Sequence, residues 1–166
     1  MGGKKHTSDL PYQRKKRGRC NGLLAVDLFT SECFFQANKT AKSEQVAQYF
    51  ADLTQHYEKK GITKIELFLD NNPTHKKKMQ GIYEQLAADF TCKISFHFIA
   101  PYSPKLNLVE YIIHKIRQKI CHHADAKKDI EVFKNEIQQL CLSGKLTDNE
   151  QIINTLQHIQ DIILNL

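Results

Sequence analysis

Ala100-Pro-Tyr-Ser-Pro-Lys-Leu-Asn-Leu-Val-Glu110 is the stretch from which the fold can be read. Two prolines and a serine stop a strand, Asn107 is placed to cap a helix, and Glu110 then falls in that helix's first turn. Thirty residues earlier, Leu67-Phe-Leu-Asp-Asn-Asn-Pro-Thr-His75 ends another apolar strand on a carboxylate, Asp70. Ligand sites in open α/β sheets gather at the carboxyl ends of strands. Two acids delivered to one sheet edge suggest a site for hard divalent cations, which prefer oxygen ligands.

Outward from these two stretches the pattern alternates. Gly22–Leu28 and Cys33–Ala37 flank the polar Phe29-Thr-Ser-Glu32, as a β-hairpin requires. Val46, Tyr49, Phe50, Leu53 and Tyr57 recur at helical spacing over 43–57, with Ser43 as the cap and Gly61 beyond the end. Strands are predicted over 62–69 and 92–100, and helices over 75–89 and 108–120. Two more amphipathic helices follow over 129–142 and 148–165, the second opening on the capping-box spacing Thr147-Asp-Asn-Glu150. Strands alternating with helices after an antiparallel start imply an α/β fold, with one mixed sheet, helices on both faces and a helical C-terminal tail.

The chain has 166 residues and a net charge of +6, with pI about 9.0. That fits one domain and favours a polyanionic partner. Its five cysteines are scattered with no Cys-x-x-Cys pair, against a disulfide framework or a zinc ribbon and for a reducing cytosol. No apolar run reaches the roughly 18 residues of a membrane span, so no membrane partner is expected. Residues 1–20 set Lys4, Lys5, Arg14, Lys15, Lys16, Arg17 and Arg19 against the single acid Asp9. They read as a flexible basic arm, either a solvated tail or a phosphate-contacting segment in which Lys15, Lys16 and Arg17 would touch DNA. Lys76, Lys77 and Lys78 open a helix at the end its dipole disfavours for cations. This is either a solvated start or a hint of an external anion, with Lys76 and Lys77 as contacts. Asn107 is a further DNA-contact candidate.

Each acid has a plain alternative. An aspartate before Asn-Asn-Pro forms turns, and a glutamate near a helix N-terminus is favourably placed whatever else it does. Either role is compatible with metal binding. The adjacent His122 and His123 point apart on a helix and read as a polar helix end.

Leu69-Asp-Asn-Asn-Pro-Thr-His75 and Ala100–Glu110 resemble the strand-end motif and the Pro-x-Tyr-Ser-Pro-x-Leu-Asn-x-Ile-Glu signature of one family. It is the DDE transposases of bacterial insertion sequences related to the mariner superfamily, and the resemblance runs from about Gly22 to Ile120. It implies a ribonuclease-H-like fold, with Asp70 as the second catalytic acid and Glu110 as the third, both binding metal. The implied cofactor is Mg²⁺ or Mn²⁺, two ions. The implied reaction is DNA cleavage at element ends followed by strand transfer. The implied partners are double-stranded DNA, as transposon ends and target, and a second copy or a full-length transposase. The implied location is the cytoplasm, at the nucleoid.

The chain departs from the family in three ways. Ile113 stands where the family has tryptophan, the Asp70–Glu110 interval is long, and only two strands precede the helix at Ser43 where the fold has three. The hairpin therefore reads as strands two and three, with the first strand and its aspartate missing. Asp27 is then a hairpin residue, and it is the first acid only if a different strand is the lost one. The resulting organisation is a basic arm over 1–20, a partial catalytic domain over 21–125 and a C-terminal helical extension over 126–166. The expected function is metal-dependent DNA cleavage and strand transfer. The alternatives are a truncated, inactive module that binds DNA or a transposase, and a host nuclease of the same fold.

Overall fold

The computed structural model describes residues 21–100, 103–121 and 129–165. Within them the fold is mixed α/β: strands β1 (Asn21–Val26), β2 (Cys33–Asn38), β3 (Lys64–Leu69) and β4 (Lys93–Phe98), and helices α1 (Ser43–Glu58), α2 (Lys77–Leu86), α3 (Leu108–Ile116), α4 (Ile130–Leu142) and α5 (Asn149–Leu164).

The hairpin forms as the pattern requires, with β1 antiparallel to β2 in the register Leu24↔Phe35 and Val26↔Cys33. β3 and β4 pair in parallel through α2. The described residues do not join into a single mixed sheet. Among the described residues there are two two-stranded sheets with no ladder between them. α1 nevertheless covers both. Its Val46, Tyr49, Phe50 and Leu53 form one apolar cluster with Leu23, Ala25 and Phe34 of the hairpin and with Leu67, Leu69, Ile94 and Phe96 of the parallel pair.

Among the described residues, helices cover both faces of the hairpin alone. Period-2 alternation sends Leu24, Val26, Cys33 and Phe35 to its other face, where they meet Ile112 and Ile116 of α3 and Ile137 and Cys141 of α4. The outer face of the parallel pair carries Glu66, Phe68 and His97, and Phe68 is 58% exposed. No described helix is long and apolar enough to cross a membrane. Cys33, Cys92 and Cys141 are free and buried. Burial pushes the Cys33 thiol up to about 11 and the Cys141 thiol up to about 12, which keeps both protonated.

Several element ends differ from the sequence pattern. Lys42, not Ser43, precedes the first turn of α1, with no side-chain cap. At the other end the prediction holds. Ile62 N–H donates to Tyr57 O at 3.1 Å and Gly61 N–H to Glu58 O at 2.9 Å, the paired bonds of a Schellman ending with Gly61 at φ +80°. The helix predicted over 75–89 splits, because Lys76 is extended between a 3₁₀ turn, Pro73–His75, and α2. α3 widens into a π turn over Arg117–Cys121. α5 is capped by Asp148, whose carboxylate accepts from Gln151 N–H at 2.8 Å, while Thr147 is buried in the preceding loop.

Candidate active site

Asp70 follows the last residue of β3. Ile99 N–H donates to Leu69 O at 2.9 Å, so the parallel ladder continues one step past β4. The chain thus leaves both strands side by side at one edge, with Asp70 on one and the segment leading to Glu110 on the other.

The turn after Asp70 is built locally. Asn72 Oδ1 accepts from Thr74 N–H at 3.0 Å and from the Thr74 hydroxyl at 2.9 Å, capping a 3₁₀ turn that Pro73 opens. That turn swings His75 back, and its Nδ1 lies 2.6 Å from Asp70 Oδ1. The histidine is the more enclosed partner, 17% exposed against 51% for the carboxylate. Asn72 N–H also reaches Asp70 Oδ1, at 3.3 Å. Asp70 is therefore a turn former and an outward-facing carboxylate together. The sequence placed His75 near Asp70 but gave it no part in the site. The signal was present in Pro73, which closes the five-residue interval between them.

Glu110 sits in the first turn of α3, half-buried. Asn107 Oδ1 accepts from Val109 N–H at 3.2 Å, confirming the predicted cap, so this oxygen of the DNA-contact candidate is already used. Leu108 anchors the turn against Ile152 and Ile159 of α5. Beside Asp70, Lys76 and Lys77 are exposed at the start of α2, whereas Lys78 pairs with Glu44 of α1 at 2.6 Å. Lys15, Lys16, Arg17, His122 and His123 lie outside the described residues.

Asp27 is a different kind of carboxylate. Its Oδ1 accepts from the amides of Phe29 at 2.7 Å and Thr30 at 3.0 Å, and its Oδ2 accepts from the Tyr57 hydroxyl at 2.9 Å. Burial pushes its pKa up, but these hydrogen bonds outweigh that and hold it below the ordinary value. Its position can be measured along α1. Tyr57 holds Asp27 at the C-terminal end, where His56 and Lys60 also hold Glu32 at 3.0 and 2.5 Å. The Glu44–Lys78 pair, close after His75, marks the N-terminal end. Residues 44 and 57 of a helix are roughly 20 Å apart. α5 gives a second ruler. Asn149 meets Ser31 of the hairpin turn, and His158 stacks edge-on with Tyr111, next to Glu110, at 6.1 Å. That interval is roughly 14 Å. The fold thus brings Asp70 and the Glu110 segment off neighbouring strands and leaves Asp27 a helix length from Asp70. Among the described residues no group of three or more His, Cys, Asp or Glu side chains could hold a metal ion.

A family model described as DDE superfamily endonuclease matches residues 2–132. The chain belongs to the DDE superfamily endonucleases. Both Asp70 and Glu110 lie inside the matched span, and so does most of the basic N-terminal segment. Comparison with curated proteins found no significant match. Membership of the DDE superfamily makes the domain nuclease-like, with DNA as its class of substrate and divalent metal as its usual cofactor.

Proposed function

We propose that this DDE domain is the catalytic portion of an insertion-sequence transposase related to the mariner group. It is ribonuclease-H-like in plan and is directed to metal-dependent DNA cleavage and strand transfer. The observation that carries this is the departure of Asp70 and the Glu110 segment from the same ends of adjacent parallel strands. Asp70 and Glu110 are the proposed catalytic acids, and Asp27 belongs to the hairpin.

The donor chemistry fits Mg²⁺ or Mn²⁺. Both are carboxylates, Asp70 is half exposed, and an ion of this kind fills its shell with water and substrate phosphate. Two described acids are few for two ions, so the pair is the protein's partial share of the site. Divalent ions held there would activate the attacking oxygen and offset charge on the phosphodiester. The chain's own residues prepare this. His75 fixes the rotamer of Asp70 by occupying one oxygen, Asn107 and Leu108 fix the turn that carries Glu110, and Lys76 and Lys77 offer cations to a DNA backbone beside Asp70. The proposed setting is the cytoplasm at the nucleoid, in assembly with a second copy or a full-length transposase.

The test supplies Mn²⁺ and duplex DNA bearing the element's terminal repeats to the full chain. Cleavage lost in Asp70→Ala and Glu110→Ala and kept in Asp27→Asn is the expected result. Cleavage that survives both alanine variants would assign the chemistry elsewhere.

A further inference from the structure

Three lysines converge on one cavity at the C-terminal end of α3. Lys115 reaches it from α3, Lys119 from the π turn that extends α3, and Lys145 from the loop between α4 and α5. Gln118, Leu146 and Gln151 complete the described lining around a volume of about 250 Å³. That is the room of roughly eight waters. The loop that carries Lys145 is fixed on both sides. Gly144 takes φ +64°, and Lys145 N–H donates to Ser143 Oγ at 3.2 Å. Leu146, 2% exposed, is sunk into the cluster that holds Ile112 and Ile116 of α3. Lys119 Nζ donates to Lys145 O at 3.1 Å, and Lys115 Nζ donates to Gln151 Oε1 of α5. Packing and neutral oxygens therefore hold the three cations together.

Lys60, Lys64, Lys78 and Lys134 each meet a glutamate. The cavity is different: no described carboxylate lines it or lies within salt-bridge reach of its lysines. Asp148, three residues beyond Lys145, spends its carboxylate on Gln151 N–H at 2.8 Å. Each ammonium is a compact charge with three donors, and Lys115 and Lys119 each spend one on the oxygens above. The described lining has no aromatic ring to stack a base and no arginine fork to match a planar carboxylate. Such a cluster selects charge density, and a multiply charged tetrahedral oxyanion supplies it. The cavity is also set apart from the carboxylate edge. At 100° per residue Lys115 is turned roughly 140° from Glu110 around α3.

We propose that this cavity is a binding site for a phosphate group. The phosphate belongs to a nucleic-acid backbone or to a free polyvalent phosphate, and its chemistry at the lysines is the same in either case. The inference goes beyond the endonuclease assignment, uses neither Asp70 nor Glu110, and needs no metal for its test.

Calorimetric titration of the full chain with inorganic pyrophosphate decides it, without divalent ions and at constant ionic strength. Saturable binding is expected, weakened at least tenfold in Lys115→Gln and in Lys145→Gln. Lys39 and Lys42 are exposed lysines outside the cavity. The double variant Lys39→Gln/Lys42→Gln removes more charge than either single change and should bind as the parent does. In amide spectra of the parent, pyrophosphate should shift the Lys145 and Leu146 resonances, a readout that stands even if Lys115→Gln does not fold. A short DNA duplex without terminal phosphates, added to the pyrophosphate complex, separates the two sources. Reversal of those shifts assigns a backbone phosphate, and their persistence assigns a free one. Absence of saturable binding, equal weakening in the Lys39/Lys42 variant, or unshifted Lys145 and Leu146 amides would overturn the proposal.

Discussion

His75 Nδ1 lies 2.6 Å from Asp70 Oδ1, with the imidazole enclosed and the carboxylate half open to solvent. One oxygen of the acid is thereby oriented from the protein side, and the residue faces outward as an aimed ligand. Second partners of this kind typically change metal affinity 10- to 100-fold. His75→Ala is expected to weaken Mn²⁺ binding by about that factor with little change in the melting temperature. Calorimetric titration with Mn²⁺, beside a thermal melt, checks both. Unchanged affinity would reduce the histidine to a turn-closing group.

Tyr83 joins three elements: its hydroxyl lies 3.0 Å from the Thr54 hydroxyl of α1 and accepts from Ile94 N–H of β4 at 3.2 Å. Tyr83→Phe leaves that amide without its partner, while Thr54 keeps its bond to Phe50 O at 2.7 Å. The expected loss is about 1–2 kcal/mol, read from the urea midpoint. A variant as stable as the parent would mean that water replaces the hydroxyl at no cost.

Gly61 ends α1 at φ +80°, and a Cβ there would meet nothing within 4 Å. The penalty for Gly61→Ala is therefore conformational alone, about 1 kcal/mol. Chemical denaturation measures it, and no loss would contradict the left-handed ending.

Asp27 governs an acid-limb effect. Burial pushes its folded pKa up, but the amides of Thr30 and Phe29 and the Tyr57 hydroxyl outweigh that and hold it below the ordinary aspartate value. A depressed carboxylate contributes stability above its unfolded pKa and loses it as pH falls through the folded value. Asp27→Asn should lower stability at neutral pH and flatten the decline below pH 3.8. Denaturation curves from neutral pH down into that window test the sign. Parallel curves for the two proteins would contradict it.

Much of this architecture was legible because it rests on local rules. The strand ending in Asp70, the Asn107 cap, the Gly61 stop and the hairpin all follow from residues adjacent in sequence. What the sequence missed depends on distant partners or on competition between neighbours. Asp148 caps α5 because Thr147 is drawn into the buried loop. Lys76 breaks a helix that periodicity alone continues, because the 3₁₀ turn of Pro73–His75 is closed by Asn72 and His75. The separation into two sheets is a matter of long-range pairing, which alternation within single strands does not encode. Asp27 was left open as an acid because strand counting cannot see Tyr57. The length of α1 separates Asp27 from Asp70.

Mn²⁺ binding by the full chain, compared among Asp70→Asn, Glu110→Gln and Asp27→Asn, tests the central claim most directly. Asp70 and Glu110 acting together predict at least a tenfold weakening in each of the first two variants and parent-like affinity in the third. Affinity unchanged in Asp70→Asn or Glu110→Gln, or lost in Asp27→Asn, would contradict the assignment of the site.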